Sequence, residues 1–128
     1  MKASDLFVKC LETEGVTKIF GIPGEENADL MISLKKSKIE FVLCRHEQAA
    51  AFMADVYGRL TGKAGVCLAT LGPGVTNLMT GLADANMDRA PVVAIIGQGS
   101  TERLHKESHQ IMDSISMVAP ISKWAQTI

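Results

Sequence analysis

Four consecutive polar residues, Arg45-His46-Glu47-Gln48, form a place where this 128-residue chain could do chemistry. They follow an apolar run that predicts a strand, and they open a segment that predicts a helix. A carboxyl group at such a junction can act as a general acid or base when its surroundings exclude water. The same glutamate can also serve the helix alone, because the positive end of the helix dipole favours an acid in the first turn. The position therefore makes Glu47 a candidate catalytic acid.

Two glycine- and proline-containing turns also lie at predicted strand ends. Residues 21–25 (GIPGE) follow the first predicted strand, and residues 71–74 (LGPG) follow the third. In parallel α/β sheets ligands bind beyond the carboxyl ends of the strands, so both turns are candidate pocket loops. Turn formation and helix capping by Thr76 or Asn77 explain the same residues without a ligand. The turn residues alone leave both interpretations open.

Other nucleotide, nucleophile and metal motifs do not match. The first turn lacks the GxGxxG spacing of a dinucleotide-binding fingerprint, and residues 58–64 (GRLTGKA) are one residue short of a P-loop. No GxSxG nucleophile motif occurs. His105 and His109 are four residues apart and could share a helix face, but the sequence offers no nearby third metal ligand. We predict no metal site within this chain.

Composition excludes several classes of protein. The 13 basic and 14 acidic residues give a net charge of −1, so no excess of positive charge is available to bind nucleic acid. Met1 is not followed by an apolar signal-peptide core, and no run approaches a membrane span. The three cysteines cannot all pair, and they fall in apolar segments typical of reduced thiols. We therefore expect a cytoplasmic protein that binds neither nucleic acid nor membranes.

The elements that must position the candidate residues alternate along the chain. Apolar periodicity predicts helices over 4–14, 26–36, 47–60, 75–88 and 110–118. Short apolar runs predict strands over 17–20, 39–43, 66–70, 92–96 and 121–127. Strands without polar alternation are typical of a sheet that is covered on both faces. The pattern predicts an α/β fold of three layers, with helices on both faces of a mostly parallel sheet.

Two predicted helices have features that bear on packing. Alanines keep the helix over 47–60 thin enough to pack closely, and its apolar residues make one continuous stripe: Ala49, Met53, Val56 and Leu60. Gly81 lies inside the helix over 75–88, where glycine costs about 1 kcal/mol relative to alanine. We expect a close neighbour at Gly81 that explains this cost.

Three segments support a family assignment in combination: residues 20–27 (FGIPGEEN), residues 45–98, which begin RHEQAAAF and include GPGVTN, and residues 105–124 (HKESHQIMDSISMVAPISKW). Together they closely resemble the N-terminal pyrimidine-binding domain of thiamine-diphosphate enzymes of the acetolactate synthase family. The resemblance runs along essentially the whole chain. It implies that residues 1–128 are one such domain, incomplete at its C-terminal end.

The resemblance also implies roles for individual residues. Glu47 matches the acid that hydrogen-bonds N1′ of the cofactor's aminopyrimidine ring and so promotes loss of the proton on C2 of the thiazolium ring. Gln110 matches a glutamine that faces the reacting centre. The positions that match the surroundings of the pyrimidine ring are Thr70, Pro73 and Asn77. The positions that match the substrate pocket are Pro23, Gly24, Glu25 and His109.

By the same resemblance, the parent enzyme decarboxylates pyruvate and joins the product to a second 2-oxo acid. It uses thiamine diphosphate and Mg²⁺, and it forms a homodimer or tetramer through its pyrimidine-binding and diphosphate-binding domains. The family's diphosphate-binding domain is marked by Gly-Asp-Gly and a later Asn, which together suit Mg²⁺. Gly-Asp-Gly does not occur in these 128 residues. We therefore expect the chain to be a piece of that enzyme and to have no carboligase activity alone.

Two positions depart from the biosynthetic members of the family. Gly24-Glu25 stands where those enzymes have Gly-Gly, and His109-Gln110 stands where they have Phe-Gln. The second substrate and the use of FAD are left open by these differences. Two alternatives also stay open: a domain of another thiamine-diphosphate-dependent 2-oxo acid decarboxylase or of an enzyme split into two chains, and a non-catalytic assembly module.

Overall fold

The computed structural model describes residues 1–104 and 106–128. In these residues the strands are β1 (Lys18–Gly21), β2 (Glu40–Leu43), β3 (Gly65–Ala69) and β4 (Val92–Ile96). The α-helices are α1 (Ala3–Thr13), α2 (Ala28–Leu34), α3 (Glu47–Thr61), α4 (Pro73–Met87) and α5 (Ser114–Val118). Short 3-10 helices cover Glu25–Asn27, Thr101–Arg103 and Ala119–Ile121.

The four strands form one parallel sheet in the order β2-β1-β3-β4. Gly21, the last residue of β1, pairs with Leu43 of β2 and Leu68 of β3, so these strands end at the same edge of the sheet. Ala69 and Ile96 are paired at the ends of β3 and β4. The chain leaves β1 toward β2 on one side and returns to β3 on the other. This topology opens a crevice at the carboxyl ends of β1 and β3.

Helices cover both faces of the sheet. One core cluster joins α1 and α2 to the sheet and includes Val8, Leu11, Leu34, Val66 and Leu68. The other joins α3 and α4 to the opposite face and includes Ala50, Ala54, Cys67, Ala69 and Leu78. Successive residues of β3 alternate between the two clusters, as they must in a strand that is buried on both faces. The predicted three-layer α/β fold is confirmed.

Helices α3 and α4 pack against each other at a glycine. A Cβ atom on Gly81 would lie 2.5 Å from the Cβ atom of Ala51 and 3.1 Å from the backbone nitrogen of Phe52. No side chain fits there without movement of one of the helices. The predicted close neighbour of Gly81 is therefore Ala51, and the cost of a glycine inside a helix is offset by this approach.

The apolar stripe predicted on α3 does not contribute to the core. Met53, Val56 and Leu60 are exposed, and Leu60 keeps 81% of its accessible surface. The buried face of α3 instead contains Ala50, Ala51 and Ala54, together with Asp55 and Gly58. Small residues allow α3 to approach both the sheet and α4, and the larger side chains of the stripe extend outward.

An ion-pair cluster joins the C-terminal halves of α3 and α4. Asp55 is only 1% exposed, and it accepts hydrogen bonds from Nε and Nη2 of Arg59 at 2.8 and 2.7 Å. The same guanidinium donates to Asp84 of α4 and to Asp88, the residue that caps the C-terminal end of α4, at 3.0 and 2.5 Å. The adjacent Arg59 guanidinium holds the pKa of the Asp55 carboxyl below its usual value. Arg59 thereby stabilises the buried acid and ties it to α4.

The C-terminal segment differs from the prediction. Residues 122–128 form no strand, so the strand predicted over 121–127 is wrong. The helix predicted over 110–118 begins only at Ser114, where the Asp113 side chain accepts a hydrogen bond from the backbone nitrogen of Ser116 at 3.0 Å. Gln110 has φ of 57°, which is incompatible with a continuous right-handed helix. Among the described residues no helix is long and apolar enough to cross a membrane.

Candidate functional site

Three strand-end loops meet at Thr70, the residue that follows β3. A Cβ atom on Gly24, in the loop after β1, would lie 2.5 Å from both Cβ and Oγ1 of Thr70. A Cβ atom on Gly97, directly after β4, would lie 3.3 Å from Cα of Thr70. Both glycines therefore let a neighbouring backbone approach Thr70 closely. These contacts define the floor of the crevice that the topology opens.

Glu47 lies at this crevice as the first residue of α3. His46 caps the helix, and its Nδ1 atom accepts a hydrogen bond from the backbone nitrogen of Gln48 at 3.1 Å. The Glu47 side chain is 8% exposed, and its Oε2 atom accepts a hydrogen bond from Nδ2 of Asn77 at 2.9 Å. The part of the chain that the structure describes supplies no hydrogen-bond donor to the other oxygen, Oε1. One oxygen of the carboxylate is therefore held by α4, and the other makes no hydrogen bond to a described residue.

Asn77 reaches Glu47 because it does not cap its own helix. Gly72 is the N-cap of α4, with φ of 60°, and Pro73 is the first helical residue. The hydroxyl of Thr76 donates to the carbonyl oxygen of Pro73 at 2.9 Å. Turn chemistry alone predicts that Thr76 or Asn77 caps α4. Neither residue does so, because the N-cap is Gly72. Asn77 is free to join α4 to α3 across the crevice, whereas Pro73 is exposed at its rim.

A narrow space lies beside the free oxygen of Glu47. A Cβ atom on Gly74 would be 3.3 Å from Cγ2 of Thr70, 3.4 Å from Cβ of Ala69 and 3.5 Å from Oε1 of Glu47. We call this space, bounded by those three residues, the glycine slot. A planar ring can approach a backbone closely where no side chain projects. Sequence reasoning missed this role of Gly74, which looked like an ordinary turn glycine.

Glu26 is a second carboxylate at the crevice, and sequence reasoning also missed it. The Thr70 hydroxyl donates a hydrogen bond to its Oε2 atom at 2.9 Å. The loop is stabilised locally, because the backbone nitrogen of Gly24 donates to Oδ1 of Asn27 at 2.8 Å. The Nδ2 atom of Asn27 is buried without a hydrogen-bond partner. No local pattern predicts that Glu26 contacts a residue 44 positions away.

Gln110 lies against the start of α4. A Cβ atom on Gly72 would lie 2.6 Å from the carbonyl oxygen and 2.8 Å from the Cβ atom of Gln110. Both residues have left-handed backbone conformations, with φ of 60° and 57°. The loop after β4 is therefore brought to the residue that precedes Pro73. The Gln110 side chain is exposed there.

The remaining predicted pocket residues occupy different places. Pro23 and Glu25 are exposed on the loop after β1, next to Gly24. His109 lines a cavity of about 900 Å³, formed mainly by residues 106–109 and 111–115 with Gln98, Leu104 and Thr127. The structure therefore places Gly24 in the crevice and His109 in an adjoining cavity of the loop after β4.

The metal-site question raised by the sequence involves His105 and His109, and the structure describes only His109. Among the described residues, no group of three or more His, Cys, Asp or Glu side chains is placed to hold a metal ion. His105, the partner of His109 in the pair considered above, lies outside the described residues.

The carboxylate of Glu47 suits a nitrogen atom of an aminopyrimidine ring. Glu47 is a buried residue whose Oε1 atom can accept a hydrogen bond from a ring nitrogen or share a proton with it. Beside it Gly74 presents no side chain, and a single carbon atom placed there would already contact Thr70, Ala69 and Glu47. Both features come from the N-terminal turns of α3 and α4, whose dipoles favour a negative charge at this point.

The chain matches a family model described as the thiamine pyrophosphate enzyme, N-terminal TPP binding domain, over residues 1–117. It belongs to this family, as its sequence resemblance predicted. It is 48% identical over 122 residues to the catabolic acetolactate synthase of Raoultella terrigena, covering 95% of this chain and 22% of that protein.

Two further relatives have similar names. Identity is 44% over 123 residues to a probable acetolactate synthase large subunit of Methanocaldococcus jannaschii, covering 96% of this chain and 21% of that protein. Identity is 44% over 124 residues to the acetolactate synthase of Bacillus subtilis, covering 97% of this chain and 22% of that protein. The chain thus spans about a fifth of the length of these relatives.

Proposed function

We propose that residues 1–128 form the pyrimidine-binding domain of a thiamine-diphosphate-dependent acetolactate synthase, with Glu47 as its catalytic acid. The observation that carries the proposal is the buried Glu47 carboxylate, held through Oε2 by Asn77 and free at Oε1 beside the glycine slot. The names of the relatives support the choice of reaction. The enzyme decarboxylates pyruvate and joins the product to a second 2-oxo acid.

Each residue of the crevice has a separate task in this proposal. Glu47 shares a proton with N1′ of the pyrimidine ring through Oε1, and burial strengthens that hydrogen bond. Asn77 fixes the orientation of the carboxylate through Oε2. Thr70, Pro73 and Asn77 surround the ring as cofactor-binding residues. Thiamine diphosphate, when bound, supplies the carbanion chemistry that the reaction requires.

The substrate side of the pocket is built from the loops after β1 and β4. Gln110 is the second catalytic residue and faces the reacting centre from its position over the start of α4. Pro23, Gly24, Glu25 and His109 shape the space for the 2-oxo acid. The approach of Gln110 to Gly72, and of Gly24 to Thr70, supports this division because both loops converge on the same crevice.

The whole enzyme contains more than this domain in our proposal. A diphosphate-binding domain outside these residues holds the cofactor's diphosphate and Mg²⁺, and the enzyme is a cytoplasmic homodimer or tetramer. Light scattering on the enzyme that contains this chain measures the number of subunits. Flavin absorption of the same purified protein decides whether FAD is also bound.

The test compares Glu47→Gln with Glu14→Gln, an exposed acid of the turn after α1, in the enzyme that contains this chain. NMR measures hydrogen–deuterium exchange at C2 of bound thiamine diphosphate, and a product assay measures acetolactate formed from pyruvate. We expect Glu47→Gln to slow exchange by about 10²–10⁴-fold, the usual contribution of a positioned acid or base. Glu14→Gln leaves it unchanged. Equal exchange in both variants would refute the assignment of Glu47.

The same experiment distinguishes the alternatives. Free aldehyde without acetolactate identifies a 2-oxo acid decarboxylase. Activity that appears only when a second polypeptide is added identifies a split enzyme. A folded protein that shows neither exchange nor product is a non-catalytic assembly module.

A further inference from the structure

Thr70 directs its two side-chain branches to different partners. Its hydroxyl donates to Oε2 of Glu26 at 2.9 Å, and its methyl carbon lies 3.3 Å from the position of a Cβ atom on Gly74. A threonine side chain rotates between a few staggered positions about χ1, so the partner of the hydroxyl decides where the methyl group points. In this arrangement the methyl group, rather than the hydroxyl, faces the glycine slot.

We propose that Glu26 is a positioning residue of the pocket, which holds the Thr70 hydroxyl away from Glu47. The inference rests on the proposed function of Glu47. Without an acceptor at Glu26, rotation about χ1 turns the Thr70 hydroxyl toward the slot, where Oε1 of Glu47 is an available acceptor. A hydrogen bond formed there competes with the pyrimidine ring for the same oxygen.

The loop that contains Glu26 is held in place over Thr70. The Cβ atom of Glu26 lies 3.4 Å from the position of a Cβ atom on Gly97, and Gly24 packs directly on the Thr70 side chain. The side chain of Asn27 holds the backbone nitrogen of Gly24. The backbone and the Cβ atom of Glu26 are therefore held beside Thr70.

The charge of Glu26 is not used in an ion pair within the described part of the chain. The ion pairs found there are made by Asp29, Glu40, Asp55, Asp84 and Asp88. The Thr70 hydroxyl is a neutral donor, so a neutral acceptor of the same shape can replace the carboxylate. Glu26 thus acts through its hydrogen bond to Thr70 rather than through its charge.

The test measures binding of thiamine diphosphate in the presence of Mg²⁺ by isothermal titration calorimetry, on the enzyme that contains this chain. We expect Glu26→Ala to weaken binding by about tenfold, the effect of one competing hydrogen bond of about 1.4 kcal/mol. Glu26→Gln retains an acceptor for the Thr70 hydroxyl, and we expect it to stay within about twofold of the unsubstituted enzyme. Thermal unfolding of each variant checks that it is folded.

A double-substitution cycle separates this role from a merely structural one. Thr70→Val removes the hydroxyl and keeps a similar shape, so no competitor for Glu47 is left. We expect Glu26→Ala to weaken binding by less than about twofold in the Thr70→Val background, against about tenfold when Thr70 is present. A structural role of the hydrogen bond between Thr70 and Glu26 predicts instead that Thr70→Val by itself weakens binding about as much as Glu26→Ala does.

The possible failures are distinguishable. Equal losses in the two backgrounds, or an unchanged affinity in Glu26→Ala, would overturn the inference and leave the proposed function intact. A failure of the unsubstituted enzyme to bind thiamine diphosphate would overturn the proposed function, and the inference with it.

Discussion

The feature of Gly74 that matters at the site is the absence of a side chain. Its backbone is helical, so neither φ nor ψ requires glycine at this position. A methyl group would instead occupy the glycine slot, in ordinary contact with Oε1 of Glu47 and close to the Thr70 methyl group. Glycine is thus suited to ligand approach here, whereas at Gly24 it is needed for the contact between two loops.

Gly74→Ala should separate ligand binding from stability. We expect the free energy of unfolding to change by less than about 1 kcal/mol, because the higher helix propensity of alanine offsets a contact that is slightly tight. The affinity for thiamine diphosphate should fall by about tenfold or more, because the methyl group fills the slot. Urea unfolding and calorimetric titration measure the two effects.

Thr80→Ala is the control for this prediction, since Thr80 is exposed on the same helix. It should leave both quantities nearly unchanged. An affinity of Gly74→Ala equal to that of the unsubstituted enzyme would show that the ring does not approach this backbone.

The site could be predicted from the sequence only where its residues are marked by local signals. Glu47 was a candidate because a polar tetrapeptide stands between a strand and a helix, whereas the role of Asn77 was predicted only from the resemblance to the family. The contact between Glu26 and Thr70 depends on the register of β1 against β3, which no local pattern specifies. The adjacency of Gln110 and Gly72 likewise depends on the path of the loop after β4.

At the scale of elements, the prediction of helices and strands was closer than the prediction of their contacts. The strands β1 to β4 begin and end within one residue of the apolar runs that predicted them. Such runs and their flanking turns are local features of the sequence. Local sequence does not specify whether the apolar stripe of α3 faces the core or the solvent. The alanine face of α3 is buried instead, because α4 approaches it closely at Gly81.

Gly81→Ala tests the approach of the two helices. The added methyl group would lie 2.5 Å from Cβ of Ala51, so α3 and α4 must separate. We expect a loss of about 1–3 kcal/mol in the free energy of unfolding, as for other overpacked cores. Thr80→Ala changes a neighbouring position without this contact and should stay within about 0.5 kcal/mol. A stabilising effect of Gly81→Ala, as helix propensity alone predicts, would contradict the close packing.

Arg59→Met tests the ion-pair cluster between the same helices. It leaves the Asp55 carboxylate buried without its partner, and we expect a loss of about 3–5 kcal/mol near neutral pH. Lys18→Met breaks the exposed ion pair with Glu40 instead and should cost less than about 1 kcal/mol. Urea unfolding measures both variants.

The pH dependence of stability follows from the lowered pKa of Asp55. A carboxyl whose pKa is lower in the folded state stabilises the fold above its unfolded pKa, near 3.8, and this stabilisation is lost as the pH falls through the lower folded value. In Arg59→Met this cause of the lowered pKa is absent. We therefore expect the variant to lose less stability than the unsubstituted protein on acidification, and an equal loss in both would contradict this role of Arg59.

The molecule as a whole exposes a continuous apolar strip along α3, formed by Ala49, Met53, Val56 and Leu60. An apolar strip of this length promotes association of soluble proteins. We predict that the isolated chain self-associates through this face, with a second copy of the chain as the partner.

Val56→Glu tests the predicted self-association against a matched position. Val56 is 50% exposed on α3, and Ile32 is 51% exposed on α2, away from the strip. We expect Val56→Glu to shift the isolated chain toward monomer in light scattering, because a charge disrupts an apolar contact. Ile32→Glu should leave the distribution of species unchanged. A chain that stays monomeric without substitution at high concentration would contradict the prediction.

The three cysteines lie at different depths, and this has a practical consequence. Cys10 is exposed, Cys44 is buried three residues before Glu47, and burial raises the pKa of the Cys67 thiol to about 12. Because the thiolate is the reactive form, an alkylating reagent modifies Cys67 only after the core opens. Alkylation rates, resolved by peptide mass spectrometry, therefore compare the opening of the crevice edge at Cys44 with the opening of the whole sheet at Cys67. The protein thus contains its own reporters of local and global unfolding, at native residues and without an attached label.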